Sequence, residues 1–197
     1  MCRLLESIRV ENGVCYHLPY HEQRMHRAQR ELFGEATITR LSDHIVVPSF
    51  AQHGVFKCRI IYRQAIERIE FVPYRYKSIR TLRCIDGDYV DYDHKYEDRR
   101  LLNELFAQRG DCDDVLIVKD GRVTDTSYAN VIFYDGQRWL TSNQPLLRGT
   151  QRQYLLDQGL ISERSIRERD LRDFKSFQVI NAFRGWSYQI LPISYII

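Results

Sequence analysis

A chain of 197 residues with 44% hydrophobic and 28% charged residues is long enough to bury a core without a metal or disulfide staple. Thirteen tyrosines and nine phenylalanines speak against disorder. The net charge of +3 is spread along the chain, and no basic block of the kind that forms a nucleic-acid-binding tail is present. Five scattered cysteines (Cys2, Cys15, Cys58, Cys84 and Cys112) form no C-x-x-C pair, so neither a zinc site nor a disulfide framework is expected. No apolar run approaches membrane-spanning length and no signal peptide is evident, so the expected location is the cytoplasm.

In chain order, LLESIRV and GVCYHL alternate as two strands joined at Glu11-Asn12-Gly13, a sequence suited to a hairpin turn. From Pro19 the period changes: Met25, Ala28 and Leu32 recur at helical spacing and Gly34 is a natural stop. FKCRIIYRQA reads as a strand, and Pro73 in IERIEFVPYRY suits an edge strand or strand end. SIRTLRCI is strand-like up to Gly87, YVDYDHK extended, and YEDRRLLNELFAQRG a helix with Leu101, Leu102, Leu105 and Phe106 on one stripe. DVLIVK is a buried-type strand, RVTDTSYANVIFY a further extended run, and RWLTS another strand, with Asp-Gly turns at 120–121 and 135–136. A short helix follows Gly149 and ends near Gly159; RERDLRDF is a polar helix, and FQVINAF and SYQILPISYII are closing strands. Strands outnumber helices and several are hairpin-joined, which gives an α+β fold with mixed or antiparallel sheets.

Four places could carry chemistry. Lysine is scarce, occurring only at 57, 77, 95, 119 and 175, and Lys95 falls where an extended segment hands over to a helix, close to Arg99 and Arg100. An amine that must lose its proton near neutral pH needs burial or cationic neighbours to lower its pKa. Gly149-Thr150-Gln151 opens a helix, where backbone N–H groups and the helix dipole favour a phosphate. Asp125, in Thr124-Asp125-Thr126-Ser127, could keep a pyridine nitrogen protonated from a strand. Arg24, near the start of the first helix, could clamp a phosphate. Taken singly, the same residues suit a solvated lysine, a loop-to-helix junction, a turn and a polar helical face.

Order and spacing carry more. LLESIRVENGVCYHLPYHEQRMHRAQRELFG is similar to the strand, turn and H-x-x-R-[LM] helix of the class IV aminotransferase family, which includes branched-chain and D-amino-acid aminotransferases and 4-amino-4-deoxychorismate lyase. HKYEDR resembles that family's H-K-x-x-N-R, and DDVLIVKDGRVTDTSYANVIFYDGQRWLTS resembles its D-E-A-L-x-L-x-x-x-G-x-V-x-E-x-x-x-x-N-[IL]-F stretch. LLRGTQRQYLL resembles L-x-G-I-x-R, and VINAFRG the N-A or N-S segment of the lyase branch.

The resemblance implies pyridoxal 5′-phosphate (PLP) as cofactor, with Lys95 as its Schiff-base lysine and proton shuttle. It implies two small α/β lobes with PLP between them, the first over residues 1–88 and the second, PLP-binding, over 89–197. Arg24 would contact the phosphate. Leu147, Gly149 and the amides of Thr150 and Gln151 would complete the phosphate cup. Asp125 would face the pyridine nitrogen, and Tyr128 and Ala129 would lie near the cofactor. Asn181, Ala182 and Arg99 would approach the substrate. Homodimers, a small amino acid or keto acid substrate, and no nucleic-acid or membrane partner are also implied.

The chain departs from the pattern at four points. Asp125 stands for the usual glutamate, Thr150 for an isoleucine, and Arg99 and Arg100 where branched-chain enzymes place a tyrosine; the G-D-G-x-F-E-T segment is reduced to LLES. The leading expectation is transamination. The alternatives are elimination of pyruvate, as by 4-amino-4-deoxychorismate lyase, and a non-catalytic binding protein on the same fold.

Overall fold

The computed structural model describes residues 2–34 and 40–197. By contacts the chain divides into two units: Met1–Tyr76 with His94–Asp98, and Lys77–Asp93 with Arg99–Ile197.

The first unit is a four-stranded antiparallel sheet of order β2-β1-β3-β4, made of β1 (Leu4–Glu11), β2 (Val14–Cys15), β3 (Val55–Tyr62) and β4 (Ile66–Pro73). The β1–β2 hairpin turns through Asn12 and Gly13, both at positive φ, the backbone that an Asn-Gly pair supplies most readily. Strict alternation puts Leu4, Glu6, Ile8 and Val10 on the buried face of β1. Across the ladder they face Tyr62, Ile60, Cys58 and Phe56 of β3.

Helix α1 (Leu18–Phe33) buries His21, Met25, Ala28 and Gln29, and ends on Gly34 at φ 80°. Met25 and Ala28 join the β1 and β3 residues in one apolar core, with Leu32 packed against it. The second strand is shorter than GVCYHL suggests, because the chain turns at His17 (φ 56°) and α1 starts at Leu18. Pro73 closes β4, an edge strand, where its missing N–H leaves no ladder bond unmade.

In the second unit a mixed sheet runs β10-β9-β8-β7-β6-β5, with β11 paired to β8 and β12. Its strands are β5 (Leu82–Asp86), β6 (Asp114–Lys119), β7 (Arg122–Thr126), β8 (Asn130–Tyr134), β9 (Trp139–Ser142), β10 (Ser162–Arg164), β11 (Ser176–Ile180) and β12 (Leu191–Pro192). The β5–β6 and β9–β10 pairs are parallel and the rest antiparallel. Helix α2 (Arg100–Ala107) buries Leu102 and Leu105. Helix α3 (Thr150–Asp157) buries Leu155 in a cluster with Ile132, Ile161 and Ile180. Val131, Phe133, Phe177 and Val179 alternate onto the opposite face and form the larger core.

Three expectations are corrected. The run 122–134 is two strands, not one: β7 and β8 meet in a tight turn closed by the Thr126 N–H donating to Ala129 O at 2.8 Å. The stretch 162–174 holds β10 and a 3-10 helix, Glu168–Asp173, in place of an α-helix. The last residues form the two-residue β12 and a 3-10 turn, and Ile197 then pairs with β5 through backbone bonds to Leu82 and Cys84.

Candidate functional site

In the first unit the one polar side chain on the buried face of β1 is Glu6, fully enclosed. His21 and Arg24, one turn apart on α1, meet it there. Arg24 grips the carboxylate with two bonds, Nε to Oε1 at 2.9 Å and Nη2 to Oε2 at 2.5 Å. His21 Nδ1 lies 2.6 Å from Oε2. Burial alone would raise the carboxyl pKa, but the Arg24 charge and the His21 hydrogen bond outweigh it and hold it at about 2. Burial pushes His21 the other way, below its ordinary value, helped by the charges of Arg24 and Lys95 and opposed by Glu6. A carboxylate can only accept, so His21 donates from Nδ1, and among the described residues its buried Nε2 has no hydrogen-bond partner.

Lys95 belongs to the same unit and is half-buried. It lies on an irregular segment, not on a strand end, and β1 stitches that segment in place. The Leu5 N–H donates to Lys95 O at 2.8 Å, Glu97 N–H donates to Arg3 O at 2.9 Å, and Leu4 bridges Tyr96. Backbone bonds at the residue's own carbonyl and two residues further on fix the root of the amine, and its charge reaches His21.

The second unit holds a second buried carboxylate. β7 carries one more residue than β6 between the pairs Leu116–Thr126 and Val118–Val123, a bulge that re-aims the side chains beyond it. Val123 stays in the large core, whereas Asp125 pairs with Asn130 of β8, on the face away from Val131. Asn130 Nδ2 donates to Asp125 Oδ1 at 2.7 Å and to Leu147 O at 2.8 Å, and the Leu147 N–H donates to Asp125 Oδ2 at 2.8 Å. These donors and the Arg152 charge stabilise the anion. Burial is the larger effect, and the carboxyl is pushed up to about 7.

Gly149 precedes α3 in extended backbone, and no side chain caps the helix. Its need is for space: a Cβ there would stand 2.0 Å from Asn130 Oδ1. The uncapped first turn leaves the amides of Thr150 and Gln151 in the arrangement that binds anions. Arg152, buried in the same turn, donates to Ser142 O at 2.8 Å and Glu163 Oε1 at 2.5 Å.

Of the residues singled out in the sequence, the second unit thus gathers Asp125, Leu147, Gly149, Thr150 and Gln151. Tyr128 and Ala129 form the β7–β8 turn. Arg99 donates from Nη2 to Ser127 O at 2.7 Å, beside that turn. Asn181 and Ala182 follow β11, where Asn181 Oδ1 accepts the N–H groups of Phe183 (2.9 Å) and Arg184 (3.1 Å). Arg24 and Lys95 lie in the first unit, and the Nε–Nη2 edge of Arg24 is taken by Glu6.

Glu6, Asn130 and Arg152 were not singled out in the sequence, and His21, noted in the run His21-Glu22-Gln23-Arg24, was given no role of its own. The signals were the one charged residue in the apolar register of an alternating strand, a His and Arg three apart on the facing helix, and the Asn and Arg positions of two quoted motifs. The chemistry of these groups fits PLP: an anchored amine, an uncapped glycine-led helix start for a phosphate, and an acid near neutral pKa for a pyridine nitrogen. Among the described residues no three His, Cys, Asp or Glu side chains gather as a metal site.

Residues 66–188 match the amino-transferase class IV family. The chain belongs to that family of PLP-dependent enzymes. It is 40% identical over 187 residues to an uncharacterized protein of Haemophilus influenzae, covering 94% of this chain and all of that one. A Haemophilus somnus protein provisionally described as a 4-amino-4-deoxychorismate lyase is 34% identical, with a TM-score of 0.88 over 94% of this chain and 98% of that one. The PLP-bound form of a hypothetical aminotransferase from Mycobacterium tuberculosis, 18% identical with a TM-score of 0.78, covers 99% of this chain and 81% of its own, and shares the fold.

Proposed function

We propose that this enzyme transfers an amino group between a small amino acid and a 2-keto acid, with Lys95 as the catalytic amine. The observation that carries the reading is Asp125, buried, fixed by Asn130 and Leu147, and poised near neutral pKa beside the uncapped start of α3. PLP, when bound, supplies a sink for the electrons of the substrate's Cα–H bond.

Each residue then has a task. Lys95 would hold the cofactor through its amine and, with that amine free, would take the proton from the substrate Cα and hand it back. Asp125, as carboxylate, holds a proton on the pyridine nitrogen. Thr150 and Gln151 bind the phosphate through their amides, with Leu147 lining the cup and Gly149 leaving room for Asn130. Arg24 adds a cation toward the phosphate, and Tyr128 and Ala129 line the cofactor. Asn181, Ala182 and Arg99 face the substrate. The assembly is a cytoplasmic homodimer, which sedimentation velocity would test.

A second reading, elimination of pyruvate, is favoured by the provisional name of the 34% identical Haemophilus somnus protein and by the Asn181-Ala182 segment. The two share the Lys95 step and part at the product.

The test is a visible spectrum of the protein with PLP, before and after borohydride, for wild type and Lys95→Ala. In wild type alone a visible band is expected that borohydride abolishes while leaving the cofactor covalently attached, with activity in the variant down by at least ~10³-fold. Equal spectra retire Lys95. Keto acid formed only with a keto acid acceptor supports transamination, whereas pyruvate released from an aminodeoxychorismate without an acceptor supports elimination.

A further inference from the structure

Arg184 is almost fully buried in the second unit, at 1% exposure. Its backbone is locked by the turn after β11: Asn181 N–H donates to Arg184 O at 3.1 Å, and Arg184 N–H donates to Asn181 O at 3.0 Å. The guanidinium donates from Nη2 to Lys77 O and lies 4.9 Å from the ring centre of Tyr188. Among the described residues its Nε and Nη1 have no hydrogen-bond partner.

The other enclosed arginines are compensated, Arg24 by Glu6 and Arg152 by Glu163. Among the described residues Arg184 has no ion pair. An arginine does not shed its proton to escape burial, so a desolvated guanidinium with donors unfilled is a site awaiting a negative group. The turn also adjoins the other anion-favouring feature of this unit. A Cβ on Gly185 would stand 4.0 Å from Gln151 Nε2, on the uncapped first turn of α3.

We propose that Arg184 is an oxyanion receptor, giving its Nε and Nη1 hydrogens to the oxygens of a phosphate or a carboxylate. Two sources share that chemistry, the cofactor phosphate and the substrate carboxylate. Assigning one of them rests on the PLP reading, whereas the anion site does not.

The experiment is calorimetric titration of cofactor-free protein with inorganic phosphate and, separately, with pyruvate, for wild type, Arg184→Gln and Arg184→Lys. Wild type is expected to bind at least one anion saturably. Arg184→Gln should bind it at least tenfold more weakly, and Arg184→Lys, which keeps the charge and loses the planar donors, several-fold more weakly. A defect confined to phosphate, with the PLP dissociation constant raised to match, identifies the cofactor end. A defect confined to pyruvate, with PLP binding unchanged, identifies the substrate end.

Binding of neither anion by wild type overturns the proposal, and this arm needs no variant to fold. Titrations of either variant that superimpose on wild type overturn it too. Loss of the Lys95-dependent PLP band in wild type would sink the PLP reading alone and leave these titrations standing.

Discussion

Glu6 in the first unit and Asp125 in the second are both buried carboxylates, driven in opposite directions by their neighbours. Glu6 is surrounded by a full positive charge and a histidine donor, and stays ionised down to a pKa of about 2. Asp125 is gripped by neutral donors, Asn130 Nδ2 and the Leu147 N–H, with Arg152 acting only through its charge, and it rises to about 7. Burial is the leading influence on both. What separates them is whether a cation is in direct contact. Glu6 is thereby a permanent counter-charge that fixes α1 on β1, whereas Asp125 has no cation in contact, and a pyridinium N–H brought against it would favour its carboxylate form.

The most severe way to break the contrast is Glu6→Gln. It leaves Arg24 enclosed without its carboxylate, and a loss of about 3–5 kcal/mol in urea unfolding is expected. A loss below about 1 kcal/mol would mean the pair is no anchor. The pH dependence has the matching sign: the contribution of Glu6 is full above the unfolded value of 4.5 and is lost as pH falls toward about 2.

Asp125 should show the reverse. Its folded pKa lies above the unfolded 3.8, so between about 4 and 7 the folded state holds the extra proton and stability falls as pH rises. In cofactor-free protein the stability of wild type relative to Asp125→Asn should decline over that window by on the order of 1–4 kcal/mol. A flat difference across the same unfolding series would refute the raised pKa.

A smaller effect sharpens the role of the donors. Gly149→Ala drives Asn130 away from its place against the glycine, and about 1–3 kcal/mol of stability should be lost, with PLP binding weakened in a fluorescence titration. Unchanged PLP affinity would separate the Asn130–Asp125 bond from the phosphate cup. The smallest effect belongs to a solvent-exposed pair: Arg3 and Glu67 meet at 3.0 Å, and Glu67→Ala should shift stability by no more than about 1 kcal/mol.

Elements whose causes are local are legible in the linear chain. The Asn12-Gly13 hairpin, the α1 stripe of Met25 and Ala28 with its Gly34 stop, the edge placement of Pro73 and the glycine-led start of α3 each follow from a few adjacent residues and their allowed backbone. The motif order likewise carried the family and the cofactor. The partners of the charged groups were set by how distant segments pack together. The β7 bulge that turns Asp125 toward Asn130 is set by pairing with β6, and Glu6 meets Arg24 only because a strand face and a helix face close on each other. Arg184, unremarkable in sequence, becomes an uncompensated cation only when its surroundings are assembled. Local propensity is written in neighbouring residues, whereas the cost of a buried charge depends on atoms that arrive from distant parts of the chain.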